Sequence, residues 1–176
     1  PLTSMLSRAI PSRSATLSST HFPHIASNCI DGALDNFCHT QASTNPWLSI
    51  EVPGTVPGEP ISQIGQVILY NRADCCQERL SPFQIWIGQN VGDFNSGTSV
   101  ACGVHDLVAP ANPGPVAIDC GGLIGTYVTI VLPGTARTLN LAEVRLFSYN
   151  LAISTAAVTS TAFSSALAST SFAAAP

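Results

Sequence analysis

Short runs of β-branched and aromatic residues, each ended by turn residues, recur along this chain and constrain its fold more than any other feature. In residues 126–132, Thr, Tyr, Val and Ile suit a pleated, half-buried surface, and Pro133-Gly134 ends the run. No segment repeats apolar residues at the spacing of a helix. We therefore predict an all-β fold, an antiparallel β-sandwich of the jelly-roll kind. The predicted strands are 47–52, 66–71, 83–88, 116–119, 127–132 and 143–147.

Composition divides the chain into three parts. Residues 1–14 form a Ser-rich N-terminal extension, residues 15–149 form a mixed body, and residues 150–176 form a tail of Ala, Ser and Thr with scattered large apolar residues. Only the body has the composition of an independent globule. The tail is either a flexible or O-glycosylated stalk or, because it is uncharged and β-prone, a strand that joins a neighbouring copy. The second interpretation predicts a homo-oligomer or polymer built through residues 150–176.

The charged residues exclude one class of partner. The chain has six Arg, no Lys and ten Asp plus Glu, with a net charge of -4. Without a basic stripe to neutralise phosphates, nucleic acid is not an expected partner. No run of eighteen apolar residues occurs, so no membrane span is predicted. Residues 1–14 lack the basic start and apolar core of a signal peptide, and we expect any such leader to have been removed.

The cysteines indicate a compartment. There are six, an even number, and none forms the C-x-x-C spacing of a zinc site, so disulfides are the better interpretation. Disulfides persist in oxidising surroundings, and a surface with few charges and no Lys resembles that of a secreted protein. The sequence therefore predicts an extracellular protein.

The densest chemical cluster follows the predicted strand 66–71. Arg72 and Arg79 present forks of donors that the ring and hydroxyl oxygens of a sugar can satisfy, and Asp74 between them can orient a guanidinium before ligand arrives. Cys75 and Cys76 either pair with distant cysteines or with each other, and spacing does not choose between these. The alternative for the whole cluster is a surface salt-bridge network, which contributes only about 0–1 kcal/mol per pair.

The order Arg-x-Asp, four residues, Arg at 72–79, with adjacent cysteines inside it, resembles the F-type lectins, the fucose-binding fucolectin family. The resemblance covers about residues 15–147 and implies a β-jelly-roll whose loops at one end hold α-L-fucose. Fucosylated glycans are then the expected partners. Further landmarks of the family occur in the same order at 15–16, 27–32, 35–40, 45–47, 125–129 and 139–144.

The resemblance also implies roles in the sugar site. The imidazole of His39 and the guanidiniums of Arg72 and Arg79 are expected to donate hydrogen bonds to the sugar. The carboxylate of Asp74 is expected to hold the two arginines in place. A disulfide between the adjacent cysteines is expected to pack against the carbon face of the sugar. Phe37, with His21 or Phe22, is expected to line a pocket for the deoxy methyl group. The residues so assigned are His39, Arg72, Asp74, Cys75, Cys76, Arg79 and Phe37.

A structural calcium ion is implied in the same way. Asp31 and Glu143 are carboxylates at positions where the family binds Ca²⁺, joined by main-chain oxygens near Asn28 and Ala33. One family ligand falls in a segment that is shortened here to residues 35–37, so a main-chain carbonyl must substitute or the affinity must fall. The alternative is that Asp31 caps a turn and Glu143 is a rim charge, and calcium is the interpretation we favour.

The cysteine pattern departs from the family's. The family often bridges the position of Cys38 to that of Ala142, which has no thiol here. Cys29, which stands where the family commonly has Ala, is the simplest alternative partner for Cys38. The resemblance implies Cys75–Cys76, and we expect Cys102–Cys120 as the third pair.

Nothing in the sequence indicates catalysis. No G-x-S-x-G or H-E-x-x-H motif occurs, and Asp74 and Glu78, flanked by Arg, are expected to stay ionised and so cannot act as a general acid. We expect a non-catalytic lectin that binds terminal L-fucose and gains strength by multivalency. The alternative is a structural subunit of an extracellular fibre or coat, assembled through residues 150–176 by strand addition.

Overall fold

The computed structural model of this chain describes residues 8–53, 63–104, 106–108 and 114–149. The predicted tail, residues 150–176, lies outside the described residues. Two short 3-10 helices, Ala26–Cys29 and Gln77–Leu80, are described. The described strands are β1 (Ala9–Ile10), β2 (Ser14–Leu17), β3 (Cys38–His39), β4 (Trp47–Glu51), β5 (Gln63–Tyr70), β6 (Gln84–Gly88), β7 (Val100–Ala101), β8 (Val116–Ile124), β9 (Tyr127–Val131), β10 (Asn140–Leu141) and β11 (Glu143–Ser148).

The strands form two main sheets and one small pair. One sheet has four strands in the order β1-β11-β5-β8, and the other has five in the order β2-β4-β9-β6-β7. Strands β3 and β10 form the separate pair. Every described pairing is antiparallel, which confirms the predicted antiparallel β-sandwich. Within the described residues, no helix is long and apolar enough to cross a membrane.

The core forms because apolar side chains alternate along the strands and face inward from both sheets. In β5, Val67 and Leu69 are fully buried while the residues between and beside them are less so. Where polar side chains enter the interior they pair: Ser49 Oγ lies 3.0 Å from Thr129 Oγ1 across β4 and β9. Fully buried core residues from the five-stranded sheet and its flanks include Leu48, Ile50, Phe83, Ile85, Val128 and Ile130.

Three disulfides are formed among the six cysteines. Cys102 follows β7, the edge of the five-stranded sheet, and Cys120 lies in β8, the edge of the other, so their disulfide links the two sheets. The pairs Cys29–Cys38 and Cys75–Cys76 are also formed, which confirms all three expected pairings.

The sandwich begins earlier than residue 15, the boundary that composition indicated. Strand β1 pairs with β11 through Ala9 opposite Phe147 and Ile10 opposite Leu146, and β2 begins at Ser14. Ala9, Ile10 and Ser14, which lie before that boundary, therefore belong to strands of the two sheets. A two-residue strand on a sheet edge is too short to show a periodic pattern, so the Ser-rich composition dominated the prediction.

Candidate functional site

The loop that follows β5 is held by amide side chains. Asn71, which is buried, donates from Nδ2 to the carbonyl oxygen of Gln77 at 2.9 Å and accepts from the Arg72 backbone N–H at 2.9 Å. Gln77 in turn donates from Nε2 to the Arg72 carbonyl at 3.0 Å. These hydrogen bonds fix the backbone of residues 71–77, which carries Arg72. The segment continues into the 3-10 helix that carries Arg79.

Arg72 and Asp74 form a bidentate ion pair. Arg72 donates from Nε to Asp74 Oδ1 at 2.9 Å and from Nη2 to Oδ2 at 2.5 Å. The side chain of Arg72 is 10% exposed and that of Asp74 61%. This pairing lowers the pKa of Asp74 to about 2, so the carboxylate stays ionised at any physiological pH. Asp74 lies where it orients Arg72, and no described contact joins it to Arg79.

Aromatic rings form a column behind Arg72. The guanidinium carbon of Arg72 lies 3.7 Å from the centroid of Phe37, and the ring of His24 stacks on Phe37 with centroids 4.0 Å apart. Two groups this close cannot share one face of the ring, so Phe37 lies between them. Phe37 thus positions Arg72 and can present only its edge to a methyl group. Of the two further residues expected at the methyl pocket, Phe22 is 79% exposed, and the exposed His21 has its ring 4.9 Å from that of His39.

The neutral ring of His39 in β3 is held in one tautomer. Its Nδ1 lies 2.6 Å from the carbonyl oxygen of Thr40, which only accepts, so the neutral ring carries its proton on Nδ1. Burial lowers the pKa of His39, and the charges of His21, Arg79 and Arg72 lower it further, while the Thr40 bond opposes the shift. In the neutral ring Nε2 can therefore only accept a hydrogen bond, whereas the resemblance implied that His39 donates to the sugar.

Arg79 is the second arginine whose charge lowers the pKa of His39. It lies in the 3-10 helix Gln77–Leu80 and is exposed, and within the described part of the chain its guanidinium makes no hydrogen bond or ion pair. The charges of Arg72 and Arg79 both lower the pKa of His39. Arg72, held by Asp74, and the unpaired Arg79 stand at opposite ends of one loop.

The adjacent cysteines lie on that loop between the two arginines. Cys75 and Cys76 are bonded to each other, which decides between the two alternatives that spacing left open. Cys76 has the left-handed φ of 66° and leads directly into the 3-10 helix. Both cysteines are half-buried, so the disulfide offers a small apolar surface beside the guanidiniums.

A cleft of about 170 Å³ opens on the Asp74 side of Arg72. His39 and Arg79 do not line it. Its walls are Leu34, Asp35, Asn36, Phe37, Arg72, Ala73, Asp74 and Ala142. Of the residues assigned to the sugar, the cleft is thus lined by Phe37, Arg72 and Asp74.

The predicted calcium residues also gather at one place. Glu143 is buried and accepts from the Gly32 backbone N–H at 3.2 Å, and burial raises its pKa, which nearby Asp31 raises further. Asn36 donates from Nδ2 to Asp31 Oδ2 at 2.7 Å, and its Oδ1 is buried without a hydrogen-bond partner. Across the described residues, no group of three or more His, Cys, Asp or Glu could hold a metal ion. Any metal here must rely on two carboxylates and on amide or main-chain oxygens.

The two remaining members of that predicted set lie in the same loop. Asn28 donates from Nδ2 to the carbonyl oxygen of Phe37 at 3.1 Å, which ties this loop to the aromatic column. The backbone N–H of Ala33 donates to Asp31 Oδ1 at 2.9 Å. Asp31 therefore caps a turn, which was the alternative to a role in calcium binding. It nevertheless lies beside Glu143, so the two roles are compatible.

Three residues near the site carried no signal in the sequence. His24 stacks on Phe37, and Asn140 pairs with His39 across β3 and β10 with its side-chain amide buried and unpartnered. Arg137 contacts the backbone of the arginine-bearing loop. Each is isolated in sequence from the 71–79 cluster, so only the fold brings it there.

Sequence comparisons place this chain among known proteins. Residues 28–130 match the family described as NedA-like, galactose-binding domain. A fucolectin from Anguilla anguilla is 34% identical over 128 residues, covering 69% of this chain and 75% of the fucolectin. A pentraxin fusion protein from Xenopus laevis is 30% identical over 126 residues, covering 70% of this chain and only 27% of that protein.

A solved structure has the same fold. The F-lectin (fucolectin) from the serum of Morone saxatilis, the striped bass, superposes with a TM-score of 0.67 and 26% sequence identity. The match covers 81% of this chain and 50% of that chain. The likeness therefore extends over most of the described sandwich and half of the striped bass protein.

Proposed function

Because this chain belongs to the F-type lectin (fucolectin) family, we propose that it is a lectin that binds terminal L-fucose on glycans without altering the sugar. The observation that carries the proposal is one loop that bears Arg72 and Arg79 on either side of the Cys75–Cys76 disulfide, with Arg72 stacked on Phe37 at 3.7 Å and the ring of Phe37 6.2 Å from that of His39. The fucolectin among its relatives supports the same conclusion.

The chemistry of the three groups suits a neutral sugar. Arg72 and Arg79 only donate, and neutral His39 accepts at Nε2, so one sugar hydroxyl can accept from a guanidinium while it donates to the imidazole. The disulfide supplies an apolar surface for the carbon face of the ring. The charge of Arg72 is already balanced by Asp74, so the ligand need not be an anion.

Retention on immobilised L-fucose tests this proposal. The chain is expected to bind an L-fucose resin and to elute with free L-fucose, and not with D-mannose at the same concentration. Passage through the L-fucose resin without delay would contradict the proposal.

Asp74 is not suited to act as the general acid of glycoside hydrolysis. A general acid must hold a proton near neutral pH, and the ion pair with Arg72 lowers the pKa of Asp74 to about 2. This supports the proposal that the chain binds its sugar without catalysis.

Fucose binding is expected to weaken on acidification. Because the fold lowers the pKa of His39, the ring stays neutral at pH 7, and it gains its second proton only below the ordinary value of about 6.5. Protonation removes the acceptor at Nε2 and adds a charge beside Arg72 and Arg79. Calorimetric titration is therefore expected to give a constant affinity between about pH 8 and 6.5, and an affinity that falls as the pH is lowered further.

His21 and His24 also lie beside His39, with ring centroids 4.9 and 6.1 Å away, and need their own variants. His39→Gln is expected to bind more weakly and to lose most of the pH dependence, whereas His21→Gln and His24→Gln keep it. A His39→Gln variant with the wild-type pH profile would remove His39 as the titrating group.

We propose that the loop around Asp31 binds a structural calcium ion. The donor set fits: the carboxylates of Asp31 and Glu143 lie together, Asn36 Oδ1 is a buried oxygen without a partner, and oxygen ligands suit a hard cation. Calcium would supply positive charge to two neighbouring carboxylates. In this interpretation Asn36 takes the place of the ligand missing from the shortened segment.

Calcium is expected to raise the melting temperature. At a hundred-fold excess over its Kd, the ion stabilises a fold by about 2.7 kcal/mol, which for a chain of this size is about 5–10 °C. Differential scanning fluorimetry with Ca²⁺ and then EGTA measures the change. Glu143→Gln is expected to abolish the rise, and Glu78→Gln, an exposed carboxylate elsewhere, to keep it. Equal melting temperatures of the wild type in Ca²⁺ and EGTA would contradict the site.

An extracellular location and multivalent binding are also proposals. The three disulfides suit an oxidising compartment, and clustering of weak single sites on one particle would raise overall affinity. The alternative, a fibre or coat subunit assembled through residues 150–176, stays a prediction because those residues lie outside the described structure.

A further inference from the structure

The two arginines of the candidate site are held by different means. Asp74 accepts two hydrogen bonds from the guanidinium of Arg72 and so orients it. Arg79 has no such side-chain partner in the described part of the chain, so its direction depends on the backbone that carries it. Whatever fixes the backbone at residues 79–82 therefore decides where the second guanidinium lies.

That backbone is poorly held by its own helix. The 3-10 helix Gln77–Leu80 has only four residues, and its terminal bonds are long, with Arg79 N–H to Cys76 O at 3.2 Å and Ser81 N–H to Glu78 O at 3.3 Å. The last carbonyls of any helix lack partners within it. They must be satisfied from elsewhere in the fold.

Arg137 satisfies the Arg79 carbonyl and two carbonyls just beyond the end of the helix. Its Nη2 donates to the carbonyl oxygens of Arg79 at 2.9 Å and Ser81 at 2.8 Å, with a longer contact of 3.3 Å to Pro82. Its Nη1 donates to the carbonyl of Pro133 at 2.9 Å. Since Nη2 carries two hydrogens, the Arg79 and Ser81 carbonyls are the principal acceptors.

Arg137 is itself anchored. Its backbone N–H and carbonyl both pair with Ser43 at 2.9 Å, so its main chain belongs to the framework. Among the described residues, no carboxylate forms an ion pair with its guanidinium, and all of the hydrogen bonds that the guanidinium donates go to backbone carbonyl oxygens. A planar fork suits this task, because it donates in several fixed directions at once.

We propose that Arg137 is a positioning residue for sugar recognition, which holds the backbone at residues 79–82 and thereby aims Arg79. This inference rests on the proposed fucose binding. It assigns the two guanidiniums independent supports: Asp74 for Arg72, and Arg137 for Arg79.

A double-mutant cycle with Arg79 tests the proposal. Arg137→Ala is expected to weaken L-fucose binding about ten-fold in frontal affinity chromatography, which measures weak binding. In an Arg79→Lys background, the same change is expected to cost less than about two-fold, because the group it positions has already been replaced. Arg137→Lys, which keeps the charge and some donors, is expected to lie between wild type and Arg137→Ala.

Controls separate positioning from general loss of stability. Arg13→Ala removes the same charge from an exposed position elsewhere and is expected to bind as the wild type does. Melting temperatures of all variants are measured alongside, and Arg137→Lys serves if Arg137→Ala does not fold. An equal factor from Arg137→Ala in both backgrounds, or an unchanged affinity in the wild-type background, overturns the proposal. Failure of the wild type itself to bind L-fucose would instead contradict the proposed function, and this inference with it.

Discussion

Replacing Arg72 with alanine is expected to abolish retention on immobilised L-fucose while lowering the melting temperature by no more than about 4 °C. Arg72 is a nearly buried guanidinium already oriented by Asp74, so it donates to a sugar with little further ordering. Hydrogen bonds to a charged group contribute about 1.5–3 kcal/mol each, and loss of two would weaken binding by at least about 100-fold. The fold depends on it less, because Asp74 is largely solvated.

Two companion variants sharpen that result. Arg72→Lys keeps the charge but loses the planar fork, and we expect it to bind almost as poorly as Arg72→Ala. Arg13→Ala, exposed and remote, is expected to behave as the wild type. Retention of Arg72→Ala on the resin at wild-type strength would remove this guanidinium from the site.

Removing the disulfide between the sheets is expected to give the largest change in stability. Cys102 and Cys120 are 18 residues apart in sequence, and loop-entropy reasoning gives about 3 kcal/mol for such a crosslink. For a chain of this size, the Cys102→Ala, Cys120→Ala double variant should melt about 6–12 °C lower. Thermal denaturation followed by circular dichroism measures this loss.

The vicinal disulfide provides the matched control. Cys75 and Cys76 are adjacent, so their bond closes no long loop and the Cys75→Ala, Cys76→Ala double variant should melt close to the wild type. That variant should nevertheless bind L-fucose more weakly, because it loses the apolar surface beside the arginines. The opposite pattern, with a large loss of stability only in the Cys75 and Cys76 variant, would contradict the assignment of structural and recognition roles.

The strands that sequence predicted are the ones long enough to show alternation. All six correspond to strands of the structure, and residues 116–119 continue as β8 to Ile124. Strands β1, β3, β7 and β10 have two residues each and exist only because a neighbouring strand pairs with them. Periodicity has no meaning over two residues, so such strands cannot be predicted from a local pattern.

In the candidate site, too, some features could be predicted from the sequence and others could not. Arg72, Asp74 and the adjacent cysteines lie within one short segment, so their proximity followed from sequence. The acceptor role of His39 depends on the carbonyl of Thr40 and on distant charges, and the contact of Arg137 with residues 79–82 crosses the fold. Protonation states and long-range supports arise from tertiary packing, which no local pattern encodes.

Side-chain NMR of the arginines tests the central claim most directly. In a ¹⁵N-labelled chain, titration with L-fucose should shift the Nε–Hε signals of Arg72 and Arg79 and the Nε2 signal of His39, and leave that of Arg13 in place. If the signals of Arg72, Arg79 and His39 stay unchanged up to the highest soluble concentration of L-fucose, these three groups do not form a fucose site.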